Sequence, residues 1–295
     1  MTKADNTVIR CLTVTAVVAA TVAACSSSSP KSSTSTTATG VGTAGSTISA
    51  PLHDQPSGTV VLSWDPQTKE VSAKVQMVDF TPGSAHAMHI HQGSCATQGD
   101  VVVSFPDVTA NSSGVIDTTV TGSQPSANGL TAGTLLNIHL ASSQQLGNPG
   151  SLGYTPISCA DVSPAGSQTL TMAPPPQAGQ RPQASVQLTY DPAKKTLSVA
   201  VTASGLVPGT AHAEHLHRGS CASPKPLPAG NLEYPLDDLV ASPTGTAEET
   251  KVFPNVDQNL LGWYLNIHLG SSDQLFQNGQ PTLYFQPIIC GDIGQ

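Results

Sequence analysis

Val60, Leu62 and Trp64 occupy every second position up to a turn, DPQTK, and Val71, Ala73, Val75 and Met77 do the same beyond it. The pattern returns as Val186, Leu188 and Tyr190, the turn DPAKK, and Leu197, Val199 and Val201. Side chains two apart on a strand share a face, so each stretch predicts an antiparallel pair with one buried face. GSTISAP at 45–51 and GSQTLTMAP at 166–174 read as matching first strands of two units. The Pro-rich stretch 171–184, TMAPPPQAGQRPQA, then reads as a loop inside the second unit.

The two units are copies. Asp65 and Asp191, His86 and His212, and Cys95 and Cys221 are each 126 positions apart. The LNIHL of 136–140 recurs at 265–269, 129 positions on, and Cys159 and Cys290 are 131 apart. A constant offset marks a duplication, and its later growth places insertions in loops. The expected organisation is an all-β chain with one β-sandwich or flattened barrel over 46–163 and a second over 164–295.

The N-terminus has a different character. Lys3 and Arg10 flank the start, CLTVTAVVAATVAA fills 11–24, and Cys25 follows directly. That run is shorter than the roughly 20 apolar residues a membrane span needs, and it suits a signal segment over 1–24. VAAC resembles the lipobox of bacterial lipoproteins, which implies lipidation of Cys25 and a location at the cell membrane, on its extracytoplasmic face. Residues 25–45, rich in Ser and Thr, have little to bury and read as a flexible tether. Charged residues are 10% of the chain and the formal net charge is -8, with no basic stripe, so nucleic acid is not an expected partner.

Of six cysteines, Cys11 leaves with the signal and Cys25 takes the lipid, so each copy keeps two: Cys95 with Cys159, and Cys221 with Cys290. An envelope location permits disulfides, each contributing about 4 kcal/mol on the chain-entropy account. The other use, as thiolate metal ligands, lacks the close CxxC spacing that zinc prefers.

The histidines carry the chemistry. His89 and His91 stand two apart on a predicted strand, with both imidazoles on one face about 7 Å apart along the chain. His215 and His217 repeat the arrangement, and His139 or His268 supplies a third imidazole from another strand.

PGSAHAMHIHQGSC and PGTAHAEHLHRGSC resemble the PGxHGFHxH…C segment of copper/zinc superoxide dismutases. NIHL resembles that family's later copper-ligand strand, ISCADV and IICGDIG its C-terminal ACGVIG, and GDVVVSFPDVTANSSGV its GDLPNLTADxxGV. The resemblance implies two tandem Greek-key domains. It implies copper ligation by His89, His91 and His139 in one and by His215, His217 and His268 in the other, with His86 and His212 as structural, backbone-bonding histidines.

The departures are as informative. No histidine stands between Cys95 and His139 or between Cys221 and His268, so the bridging ligand and the zinc set are missing and zinc is not expected. Asp100 matches the zinc aspartate without its companions, Pro156 and Pro287 stand where the family keeps a steering arginine, and Ser143 and Ser272 replace a supporting aspartate. Glu214 has the strand parity of the interior, where the first copy has Met88.

The expected protein is therefore a lipid-anchored binder of copper through three histidines per domain. Any enzyme activity would be a copper-only superoxide dismutation, with superoxide and copper as the small ligands, or the protein would buffer copper. CHRD-type domains also share an HIH strand and a later NxH. On that resemblance the chain is a non-enzymatic binding or structural module at the cell surface.

Overall fold

Both hairpins of the hydrophobic pattern form, and the aspartate that opens each turn holds it. Asp65 Oδ1 accepts the backbone N–H groups of Gln67 and Thr68 at 2.8 and 3.3 Å, and Asp191 Oδ1 those of Ala193 and Lys194 at 3.0 and 3.1 Å. Such side-chain bonds to the backbone two or three residues on are why Asp starts turns. The computed structural model describes residues 45–123, 130–175, 181–222, 232–256 and 261–294. The signal segment, Cys25, the tether up to residue 44, and 176–180 of the Pro-rich loop lie outside the described residues.

Within the described residues the regular structure is strand, apart from two single 3-10 turns, Leu152–Tyr154 and Leu283–Phe285. The longer strands are β1 Ser46–Asp54, β2 Ser57–Asp65, β3 Glu70–Val78, β4 Met88–Ser94, β5 Thr97–Ser104, β6 Ile116–Ser123, β7 Thr134–His139 and β8 Pro156–Val162. They continue as β9 Ser167–Met172, β10 Gln183–Asp191, β11 Thr196–Ser204, β12 Glu214–Arg218, β13 Leu232–Pro235, β14 Ala247–Pro254, β15 Trp263–His268 and β16 Pro287–Ile293. In the first copy the sheets run β9-β2-β3-β6 and β8-β7-β4-β5. The chain leaves the first sheet after β3 for β4 and β5, returns for β6, and leaves again for β7 and β8, the crossing pattern of a Greek-key sandwich. The second copy joins the equivalent strands into one eight-stranded sheet, β13-β12-β15-β16-β1-β10-β11-β14.

That order contains a difference from the sequence reading. β1, expected to open the first copy, pairs with β10 and β16 of the second. β9, expected to open the second copy, pairs with β2 of the first. The two copies have exchanged their first strands. Leu52 of β1 accordingly lies in the second copy's core, and Leu170 and Met172 of β9 lie in the first's. The connection between β1 and β2 supplies a reason. Only Gln55 and Pro56 separate these strands, and two-residue hairpin turns call for Gly, Asn or Asp, whose backbones accept positive φ. Gln-Pro does not close a hairpin easily, so β1 runs on into the neighbouring sheet, where the Gln55 N–H donates to the Ile288 carbonyl at 2.8 Å.

A second contact locks the copies together. Gln286, 1% exposed, donates from Nε2 to the Asp79 carbonyl at 2.8 Å, and its Oε1 accepts the Thr81 N–H at 3.2 Å. The Asp79 carboxyl is buried at this junction, beside the sulfurs of Cys221 and Cys290. Burial, and then the charge of Asp292, raise its pKa from 3.8 to about 8. Between those values the folded chain holds a proton that the unfolded chain has released, so stability falls as pH rises across that window. Asp79→Asn keeps a residue tolerant of the backbone φ of 65° and removes the charge. Its expected effect is a melting temperature several degrees higher at pH 8, and little change below pH 4. An unchanged pH profile in scanning calorimetry would show that Asp79 has its charge compensated.

Candidate metal centre

The sheet carrying β4 and β7 is buried on both faces. Met88, Ile90, Leu136 and Ile138 point into the sandwich core. His89, His91, Leu135, Asn137 and His139 share the opposite face, where His89 lies across from Asn137 and His91 across from Leu135. The segment around Gly99 and the 3-10 turn at Leu152–Tyr154 provide backbone carbonyls to this face. The Cys95–Cys159 disulfide joins the end of β4 to β8, as Cys221–Cys290 does in the second copy, and both bonds are formed.

His89, His91 and His139 come together. Their ring centroids are 5.5, 5.2 and 5.7 Å apart, and one nitrogen from each lies within 4.8 Å of the others. Backbone carbonyls decide which nitrogens those can be. His91 donates its Nδ1–H to the Gly99 carbonyl at 2.9 Å, and His139 its Nδ1–H to that of Tyr154 at 2.7 Å. In a neutral imidazole this leaves Nε2 of each as a lone pair. His139 Nε2 and His89 Nδ1 are buried without hydrogen-bond partners. Orphaned buried nitrogens are costly and rare, and two of them gathered with the His91 Nε2 lone pair are what a metal ion would satisfy.

The electrostatics agree. Burial, before any other cause, lowers the pKa of His89, His91 and His139, the last to about 4. All three are therefore neutral at pH 7 and need release no proton to bind a cation. Asp107 acts on His89 of this face, and Asp100 on His91. That field attracts cations and repels a small anion.

His86 takes no part in the cluster. Its Nδ1 donates to the His139 carbonyl at 2.9 Å and its Nε2 accepts from the Ser84 hydroxyl at 2.6 Å. His212 repeats this with the His268 carbonyl at 2.9 Å and Thr210 at 2.7 Å.

The second copy is not equivalent. His268 donates Nδ1–H to the Phe285 carbonyl at 2.6 Å, and its Nε2 lies 3.2 Å from His215 Nδ1. His217 does not complete a trio; its ring stacks on Tyr264, with centroids 4.9 Å apart and planes 14° from parallel. The cause is a cross-strand pair, since Tyr264 stands opposite His217 where Leu135 stands opposite His91. Glu214, the misfit of the sequence reading, is fully buried on the core side of β12, away from that stacking.

Sequence reasoning passed over several contributors. Asp107 holds the Ser143 N–H with both carboxylate oxygens at 3.1 Å, and Asp238 holds Ser272 likewise at 3.0 and 3.2 Å. The signal for them was the aspartate in FPDV and again in PLDDL, upstream of the third histidine in both copies. Gln98 and Asn137 were also missed; Asn137 donates to Gln98 Oε1 at 2.7 Å, and Gln98 Nε2 lies 3.4 Å from His91 Nε2.

No curated protein matches the chain. Residues 23–147, less than half of it, match the family model described as the CHRD domain. The matched stretch holds His89, His91 and His139 and ends before Cys159, so of the two resemblances it is the CHRD-type one that the comparison supports, over the first copy.

Proposed function

We propose that this protein is a copper-binding module of the cell envelope, anchored through a lipid on Cys25, and that its first copy holds one copper ion on His89, His91 and His139. The observation that carries the reading is the set of three buried imidazole nitrogens, with two tautomers fixed by carbonyls and two nitrogens lacking any partner. Three imidazoles suit Cu(I), or Cu(II) with further oxygen ligands. An ion about 2 Å from each nitrogen requires the trio to draw in from its 4.8 Å span, a small movement of rings already aimed at one another.

The chain's residues favour holding the ion over rapid superoxide turnover. Asp100 and Asp107 give the face a negative field, and prolines stand where a steering arginine would draw in an anion. Storage or buffering of copper, with at most slow dismutation, fits these residues best. The CHRD match favours a second reading, in which the same histidines only brace the sheet of a binding module.

Copper stoichiometry on the disulfide-intact chain carrying both copies separates the two. One tightly held ion per chain is expected, lost in His139→Ala and retained in His268→Ala. A chain that binds no copper above background, or one whose His139→Ala variant unfolds without any change in copper content beforehand, supports the bracing role.

A further inference from the structure

We propose that Gln98 is a fourth ligand of the first-copy site, binding the ion through its amide oxygen, and that Asn137 holds it there. The assignment rests on the copper reading above. Gln98 lies in β5 beside the trio, and its Nε2 sits 3.4 Å from His91 Nε2. Because His91 Nδ1–H is committed to the Gly99 carbonyl, that Nε2 is a lone pair, and the Gln98 amide N–H covers it. An ion on the same lone pair cannot face an N–H group, so the amide must turn, and turning presents its carbonyl oxygen, a metal donor.

Asn137 makes the turn affordable in hydrogen bonds. This side chain is fully buried and donates from Nδ2 to Gln98 Oε1 at 2.7 Å, while its own Oδ1 is buried without a partner. If both amides turn together, Asn137 Oδ1 accepts from Gln98 Nε2. The bond between the two side chains survives with its polarity reversed, and the number of hydrogen bonds is unchanged, since Asn137 Nδ2 takes the place that Oδ1 held. The pair thus has two arrangements, one capping an empty His91 lone pair and one offering oxygen to an ion.

The device belongs to the first copy. Asn266 matches Asn137 and also has a buried Oδ1 without a partner, but residues 222–231, after Cys221, include no glutamine. An amide oxygen is a harder donor than imidazole, so Gln98 should favour Cu(II) over Cu(I).

The test compares the wild-type chain, Gln98→Ala and Gln98→Glu, all disulfide-intact and carrying both copies, by chelator competition for Cu(II) and for Cu(I) and by electron paramagnetic resonance of the Cu(II) form. Gln98→Ala is expected to weaken Cu(II) binding about tenfold, to leave Cu(I) affinity within about twofold, and to alter the copper hyperfine splitting. Gln98→Glu, which restores an oxygen, should recover the Cu(II) affinity. Identical spectra and Cu(II) affinities in wild type and Gln98→Ala overturn the ligand assignment while leaving the three-histidine site standing. Absence of copper from the wild-type chain overturns the site itself, and the assignment with it.

Discussion

Cutting the chain after residue 163, where the repeat suggests a boundary, is expected to yield two halves that do not fold as monomers. Residues 46–163 would carry β1 without its partners β10 and β16, and would leave the β2 edge open where β9 belongs. The other half would lack β1, and with it the strand that joins β10 to β16. Each half loses a full ladder of backbone hydrogen bonds and the burial of apolar side chains, Leu52 in one core and Leu170 and Met172 in the other. At about 1.5–3 kcal/mol for each large apolar side chain, this burial alone is a substantial part of the roughly 5–15 kcal/mol that holds a small domain folded, and the unpaired ladder adds to the loss. Produced together, the halves should assemble one to one through the exchanged strands. A piece spanning 57–175, which keeps β2 through β9, should fold alone with its disulfide. Sedimentation and near-ultraviolet circular dichroism read the result, and a monomeric, cooperatively melting 46–163 piece would show that β1 can return to its own copy.

The strands themselves were legible because one buried face imposes a period of two. Val71, Ala73, Val75 and Met77 are all fully buried, as their alternation requires. The constant offset exposed the duplication, and two cysteines left in each copy pointed to the pairing that forms. The exchange was not legible, since β1 and β9 offer nearly the same face to β2 and to β10. Alternation says which residues are buried and not in which copy. The one local hint was chemical, a two-residue connection without a turn former at Gln55-Pro56.

The site divides along the same line. His89 and His91 could be placed on one face by parity, which depends on their own strand alone, and His139 joined them only through the motif order of the resemblance. Whether a trio closes depends on cross-strand neighbours, which no periodicity reports. Leu135 leaves His91 free to turn toward His139, and Tyr264 in the equivalent place takes the ring of His217. Gln98 was invisible for a similar reason, as an amide in a turn-rich stretch acquires meaning only from the His91 nitrogen and the Asn137 oxygen it meets.

Replacing Glu214 by Met, the residue of the first copy, is expected to stabilise the chain markedly. Glu214 is fully buried on β12, and neither carboxylate oxygen has a hydrogen-bond partner. Burial first, and then the charges of Glu249, Asp238 and Asp237, raise its pKa from 4.5 to about 9. Folding at neutral pH must therefore put a proton on this group, and each unit of displacement opposes folding by about 1.4 kcal/mol at a pH above both values. As pH rises from 4.5 to 9 the unfolded chain has given up the proton and the folded chain has not, so stability declines throughout that window. Glu214→Met should raise the melting temperature most near pH 9 and flatten its dependence on pH, with a smaller gain below pH 4.5 that comes from packing alone. Glu214→Gln separates the two contributions. It removes the titration and leaves buried polar atoms, so it should flatten the pH profile as fully as Met while giving a smaller gain at every pH. A melting temperature that falls in both variants would mean that the carboxyl has a partner worth more than its burial costs.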